Sequence, residues 1–352
     1  MTIDRKGRAQ ALRQRAEQAI LIKDGPYGTM IQRFRLDEAA YRGDLARGFS
    51  HDQKGNNDLL NLSRPDLIAE ICDQYLQAGA DLVATNSFNA NRISQADYGN
   101  EDLVYDINVA AARIIRQCAD AHATAVRPRF VIGSVGPTNK TLSLSPDVNN
   151  PGFREVSFDQ VKATYREQID GLLDGGVDFI LIETIFDTLN AKAAIMAGLE
   201  AEDARGEAVP FMLSLTITDL AGRNLSGQTP EAFWHSVRHA RPLTVGLNCS
   251  FGARQLRPHL EVLANAADTL IMAYPNAGLP NDLGDYDELP EETAALIADW
   301  ADAGFINVVG GCCGSSPAHI AAIAKAVATK PPRRLPRPEP AMRLSGLEAA
   351  TL

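Results

Sequence analysis

The sequence predicts a (β/α)8 barrel with loop insertions on its mouth side, and three observations predict it. Eight short apolar runs alternate with longer segments of helical period. No break in composition divides the 352 residues, a length somewhat above the ~250 usual for that fold. Polar residues gather at the C-terminal ends of the runs, which in a barrel form one ring around the mouth. An open doubly wound sheet is the structural rival, but no Gly-x-Gly-x-x-Gly turn follows the first run.

Taken in order, the first nineteen residues carry Arg5, Lys6, Arg8, Arg13, Arg15 and Glu17 and lack the apolar core of a signal peptide. They read as a polar helix. The apolar runs cover residues 19–24, 80–87, 129–135, 177–183, 209–216, 243–249, 269–274 and 305–312. Helical period follows at 65–77, 102–123, 158–173, 188–202, 230–240 and 291–303. The run ends read Asp24-Gly25, Thr85-Asn86-Ser87, Gly133-Ser134, Glu183-Thr184, Asn248-Cys249, Tyr274-Pro275-Asn276 and Cys312-Cys313. Segments 31–61 and 136–157 are long insertions after the first and third runs, expected as lids or partner surfaces. Residues 1–330 are expected to form one barrel, and the proline-rich, basic residues 331–352 an extended linker.

The formal net charge of −10 leaves no basic surplus for nucleic acid or an anionic membrane. No apolar segment approaches the ~18 residues that span a bilayer. An odd, sparse set of five cysteines suggests reduced thiols, and hence a cytoplasmic setting. Cys72 and Cys118 fall in amphipathic helical stretches and read as core filler.

The other three cysteines carry chemistry. The stretch Asn307-Val308-Val309-Gly310-Gly311-Cys312-Cys313-Gly314 ends an apolar run with two adjacent thiols between glycines. Cys249 ends another such run. Three thiolates converging from two strand ends can hold Zn²⁺ and leave a fourth position open, the arrangement of a catalytic site. Such an electron-rich centre suits lowering the pKa of a bound thiol from about 8.5. Asp24 and Glu183 are carboxylates at run ends, suited to anchoring an α-amino group or to acid–base and structural roles. His51, His235, His239, His259 and His319 lack zinc-ligand spacing with the cysteines and read as surface or capping residues.

Several longer stretches resemble the homocysteine S-methyltransferase family across residues 22–324. They include Asp24-Gly25-Pro26-Tyr27-Gly28-Thr29, Gly55-Asn56-Asn57-Asp58-Leu59-Leu60, Thr85-Asn86-Ser87-Phe88-Asn89, Gly246-Leu247-Asn248-Cys249 and Gly310-Gly311-Cys312-Cys313-Gly314. Ser145-Pro146-Asp147-Val148-Asn149, Asp187-Thr188-Leu189-Asn190-Ala191-Lys192 and Asn276-Ala277-Gly278-Leu279-Pro280-Asn281 are similar to the cobalamin-dependent branch, the methionine synthases. The resemblance implies zinc on Cys249, Cys312 and Cys313, with the homocysteine thiolate as fourth ligand. It implies that Asp24, Ser87 and Glu183 hold the amino-acid end, with Asn248 as a further substrate contact. It also implies methylcobalamin as methyl donor, carried by a separate cobalamin- and folate-binding subunit, and methionine as product. Arg343-Leu344-Ser345-Gly346-Leu347-Glu348 is similar to the linker into a folate module, so a split synthase or a fragment is expected. Pro26 departs from the family, standing where a small residue usually donates an N–H near the substrate carboxylate.

Two other readings compete. The same barrel with betaine or a methylsulfonium donor would need an aromatic cage, for which Tyr27 and Tyr274 are the mouth candidates. A zinc or thiol sensor built on Cys312-Cys313 would show no turnover.

Overall fold

A computed structural model describes residues 3–45 and 48–352; positions 46 and 47 of the first insertion lie outside the described residues. Eight parallel strands form the barrel: β1 Leu21–Ile22, β2 Leu82–Ala84, β3 Phe130–Val135, β4 Phe179–Ile185, β5 Phe211–Leu215, β6 Thr244–Gly252, β7 Leu270–Asn276 and β8 Val308–Val309. Each apolar run of the sequence overlaps one of them, and β4, β6 and β7 continue two or three residues past their runs. Their order, β1-β8-β7-β6-β5-β4-β3-β2, is closed by a parallel bridge from Lys23 to Leu82. Backbone bonds from Asp24 N to Leu82 O (2.9 Å) and from Asp81 N to Ile22 O (2.7 Å) flank that bridge. Closure leaves no open edge in the eight-stranded sheet.

Alternation along the strands makes two cores. Leu21, Leu82, Phe130, Ile132, Phe179, Leu181 and Met272 fill the barrel interior. Val83, Val131, Ile180, Leu213, Val245 and Ile271 face outward, where helices such as Val104–His122, Phe158–Gly175 and Thr188–Arg205 cover them. The polar N-terminal helix, Arg5–Ala16, also turns out to be a plug: Leu12 and Ala16 enter the interior core from below.

Ion pairs tie this plug to the bottom of the barrel. Arg8 Nε and Nη2 donate to Asp178 (2.9 and 3.0 Å), and Arg5 donates to the carbonyls of Val177 (2.9 Å) and Leu173 (2.7 Å). Asp81 receives Arg127 (2.8 Å) and Arg129 (3.0 Å). At the same end Arg333 is buried, and its guanidinium donates to the carbonyls of Ala264, Ala267 and Thr269.

The expectation of an extended tail fails beyond residue 342. β9 (Arg343–Ser345) and β10 (Ala349–Thr351) pair antiparallel and lie on the Pro230–Val237 helix. Ser345 Oγ donates to Ala232 O (2.7 Å) and Thr229 N to Leu347 O (3.1 Å). The preceding prolines disguise the hairpin, because its register depends on a helix more than a hundred residues away in sequence. Among the described residues, no helix is long and apolar enough to cross a membrane.

Candidate active site

The cysteines meet because two strand ends bend toward each other. After Val309 the backbone passes so close to β1 that a Cβ on Gly310 would lie 2.8 Å from the carbonyl oxygens of Lys23 and Asp24. Gly314 then turns at φ +80, a conformation suited to glycine. Between these glycines, Cys312 N donates to Pro275 O (2.7 Å) and Cys313 O accepts from Ala277 N (2.9 Å). On β6 the register with β7 shifts between Asn248 and Gly252, where Cys249 and Ser250 take φ of 61 and 62. Two consecutive left-handed residues outside glycine are costly, and such cost is commonly held at functional sites.

The result is a three-sulfur cluster. The Sγ atoms of Cys249, Cys312 and Cys313 all lie within 4.8 Å of one another, with Cys249 to Cys313 at 3.8 Å. Tetrahedral Zn²⁺ with Zn–S of about 2.3 Å requires sulfur–sulfur separations of about 3.8 Å. The observed spacing fits a metal held by these three thiolates. Their titration points the same way. Hydrogen bonds from Cys249 and then Cys312 push the Cys313 thiol down to about 3. Cys312 rises well above the ordinary thiol range through its contacts with Cys249 and Cys313 and through burial. Cys249 rises to about 11: the Cys312 contact lowers it, but the Cys313 contact and burial raise it further. The cluster alone therefore holds one thiolate comfortably, and a cation is needed to ionise all three.

A cavity of about 1080 Å³ opens over the cluster. Glu183, Lys23, Asp58, Ser134, Tyr274 and Tyr286 line it together with the three cysteines. Glu183 sits at a second strand irregularity, where the register of β4 with β5 shifts between Ile182 and Ile185. The neighbouring Thr184 has φ 56, which is unusual for a β-branched residue. Asn248 holds it there, accepting from Thr184 N (3.1 Å) and donating to Thr184 Oγ1 (2.9 Å), while Ser214 Oγ donates to Asn248 Oδ1 (2.6 Å). The Glu183 carboxylate accepts from Tyr274 OH (2.8 Å) on one oxygen and from Ser134 Oγ on the other.

Asp24, Ser87 and Asn248 stand behind the cavity wall rather than on it. Asp24 is fully buried, with Oδ1 2.8 Å from Lys23 Nζ and Oδ2 accepting from Ala84 N at 2.8 Å. Burial raises its pKa, and the Lys23 ammonium partly offsets the rise. Ser87 Oγ donates to Ser134 O (2.8 Å) and lies 2.6 Å from Thr85 Oγ1. Ser87 thus fixes the backbone of Ser134, whose own hydroxyl binds Glu183. Asn248 reaches Glu183 in the same indirect way, through Thr184.

Lys23, Asp58 and Tyr286 are among the cavity residues that the sequence does not single out as site residues. Lys23 carried a signal, since a charge inside an apolar run needs a partner. Asp58 lies among turn-forming residues, and Tyr286 in the loop after β7; for these, composition gives no cue. Asp58 accepts one amide, from Asn89 at 3.0 Å, and burial pushes it up to about 7. Tyr286 stands against Gly314 and is raised to about 12 by burial and by the nearby Cys313 and Cys249 charges. Asp187 organises the rim: it caps the Thr188–Arg205 helix and accepts from Leu142 N (3.1 Å) and Ser143 N (2.8 Å) of the loop after β3.

A three-cysteine cluster able to hold a metal, at the mouth of a parallel barrel, is a site suited to thiol chemistry. Residues 21–327 match the homocysteine S-methyltransferase family, and the chain belongs to that family. Among solved structures it is similar to the homocysteine methyltransferase MmuM from Escherichia coli. The metallated form has a TM-score of 0.68 at 22% identity, covering 90% of this chain and 98% of that one. The oxidized form has the same score and identity, covering 88% and 96%. At that identity the likeness shows the shared barrel fold.

Proposed function

We propose that this chain methylates homocysteine on sulfur with methylcobalamin as donor, using zinc held by Cys249, Cys312 and Cys313 and giving methionine. The observation that carries the reading is the three-sulfur cluster, spaced for tetrahedral zinc and opening onto a cavity much larger than one amino acid. Zinc at this position, when bound, supplies the lowered thiol pKa that makes the substrate sulfur nucleophilic at neutral pH.

The chain's own residues orient the substrate. Glu183 faces the cavity and receives the α-ammonium. Asp24, Ser87 and Asn248 act from behind: Ser87 through Ser134, Asn248 through Thr184, and Asp24 through Lys23. Two observations favour a protein-borne donor. Val148, Leu220 and Leu283 are 91%, 73% and 88% exposed in loops after β3, β5 and β7, where apolar surface suits a docked cobalamin-binding protein. The Tyr274 ring, a candidate wall for an onium cage, is already covered by Lys23 Nζ at 4.6 Å. A fixed ammonium there repels a small cationic donor.

The test is methionine formation by the zinc-loaded chain supplied with homocysteine and one donor at a time. Turnover with methylcobalamin and none with betaine or a methylsulfonium compound is expected. Turnover with betaine alone would overturn the donor assignment. Stoichiometric zinc without turnover on any donor would favour a sensor.

A further inference from the structure

We infer that Lys23 is a specificity-determining residue that binds the carboxylate of the substrate from the floor of the cavity; the inference rests on the homocysteine reading above. Three cationic residues line the cavity, and of these Arg33 and Arg35 are exposed at the rim while Lys23 is buried. Residue 23 continues β1 into the barrel interior, where its Nζ lies 2.8 Å from Asp24 Oδ1 and 4.6 Å from the centre of the Tyr274 ring.

Counting donors and acceptors decides what this ammonium is for. An ammonium has three N–H donors. One is directed to Asp24 and one face is turned to the Tyr274 ring, which leaves donor capacity on the cavity side. The carboxylates around it already carry a protein donor on each oxygen. Asp24 uses its second oxygen on Ala84 N, and Glu183 spends its oxygens on Ser134 and Tyr274. Among the described residues the ammonium donates to Asp24 alone, whereas every oxygen of Asp24 and Glu183 has a protein donor. Burial works against the charge on Lys23, yet Asp24 and Glu183 together raise its pKa, so it remains an ammonium. A carboxylate entering from the cavity meets it with a charge-assisted hydrogen bond in a dry setting.

The arrangement also sets a polarity across the site. The sulfur cluster and Glu183 present negative charge and Lys23 positive charge, which matches a ligand with a thiol, an ammonium and a carboxylate on one short skeleton. A thiol that lacks the carboxylate leaves Lys23 without its third partner.

The experiment compares two thiols on the zinc-loaded protein by calorimetric Kd and by kcat/KM: homocysteine and 3-mercaptopropylamine, the same skeleton without the carboxylate. Wild type is expected to prefer homocysteine by about 10- to 100-fold, the range for a hydrogen bond to a charged group. Lys23→Met is expected to remove that preference, weakening homocysteine while the aminothiol changes by less than about threefold, with zinc stoichiometry unchanged. Lys23→Arg is expected to recover part of it. Equal losses for both thiols in Lys23→Met would overturn the proposal and make Lys23 a structural partner of Asp24. Should Lys23→Met fail to fold, the wild-type ratio and Lys23→Arg decide: no preference in wild type overturns the proposal. Wild type that binds neither thiol would overturn the homocysteine reading itself, a separate outcome.

Discussion

The two ends of this barrel both bury charge, and they handle it in opposite ways. At the bottom every buried acid has more than one cationic partner: Asp178 has Arg8 and Arg116, and Asp81 has Arg127 and Arg129. Backbone donors complete the set, with Val131 N on Asp178 (2.8 Å) and Ile22 N on Asp81 (3.1 Å). At the mouth Asp58 has one amide, Lys23 has donor capacity to spare, and three thiols share one comfortable charge. Four non-glycine residues with positive φ, Arg35, Thr184, Cys249 and Ser250, also sit at this end. Saturated polar groups hold a fold; unsaturated ones are what a ligand can use. The comparison teaches that the bottom carries stability and the mouth carries function, and each variant below tests one side of that division.

The largest effect is expected at the mouth. Cys312→Ser should reduce zinc from about one per chain to below about a tenth and methyl transfer by more than about 1000-fold, since the substrate thiol returns to its ordinary pKa. Metal analysis and activity should fall together while circular dichroism is unchanged. Full activity without metal would break the mechanism. Asp178→Ala at the bottom should do the reverse. It removes the carboxylate shared by Arg8 and Arg116 and the acceptor for Val131 N, at a cost of about 3 kcal/mol. Urea unfolding should shift accordingly, with zinc per folded chain and kcat/KM both intact.

Asp58 sharpens the contrast through pH. Its folded pKa, about 7, lies above the ordinary value of 3.8, so the folded state favours the neutral acid. Its contribution to stability is then full below about pH 4 and is lost as pH rises toward 7. The gap between the two values sets a ceiling of about 4 kcal/mol. Asp58→Asn, neutral at every pH, should remove that fall. Urea midpoints at pH 4.5 and 7.5 should therefore show the variant gaining on wild type as pH rises. A constant difference would mean that Asp58 is solvated or paired by something else.

What the sequence made legible follows from how each feature is encoded. Parallel strands covered on both faces read as continuous apolar runs, so all eight could be located. The cysteines stood out because a vicinal pair between glycines at the end of such a run has few other uses. Lys23 was hidden by its neighbour: Asp24 drew the eye as the run's polar end, and only the inward side of β1 reveals which of the two meets the cavity. Thr184 could not be foreseen, because a β-branched residue at positive φ contradicts local propensity and is held there by Asn248, 64 residues on. Asp58 and Tyr286 come from loops, whose positions depend on contacts that no local pattern records.

The tail offers the smallest effect and the finest test, because it touches both ends of the barrel. At the bottom, Arg333 donates to three buried carbonyls, so that attachment belongs to the stable region. At the mouth side, the β9–β10 hairpin is fixed by single bonds such as Ser345 Oγ to Ala232 O (2.7 Å) and Thr229 N to Leu347 O (3.1 Å). Ser345→Ala removes two part-exposed neutral hydrogen bonds, to Ala232 O and from Gln228 Nε2 (3.2 Å), and should cost about 1 kcal/mol in all. If mouth and bottom are energetically distinct, that loss appears locally: the Thr229 amide exchanges about fivefold faster while the urea midpoint moves little. If the urea midpoint instead falls by the full amount, the hairpin unfolds only with the barrel, and the division between a stable bottom and a looser mouth stops short of the tail.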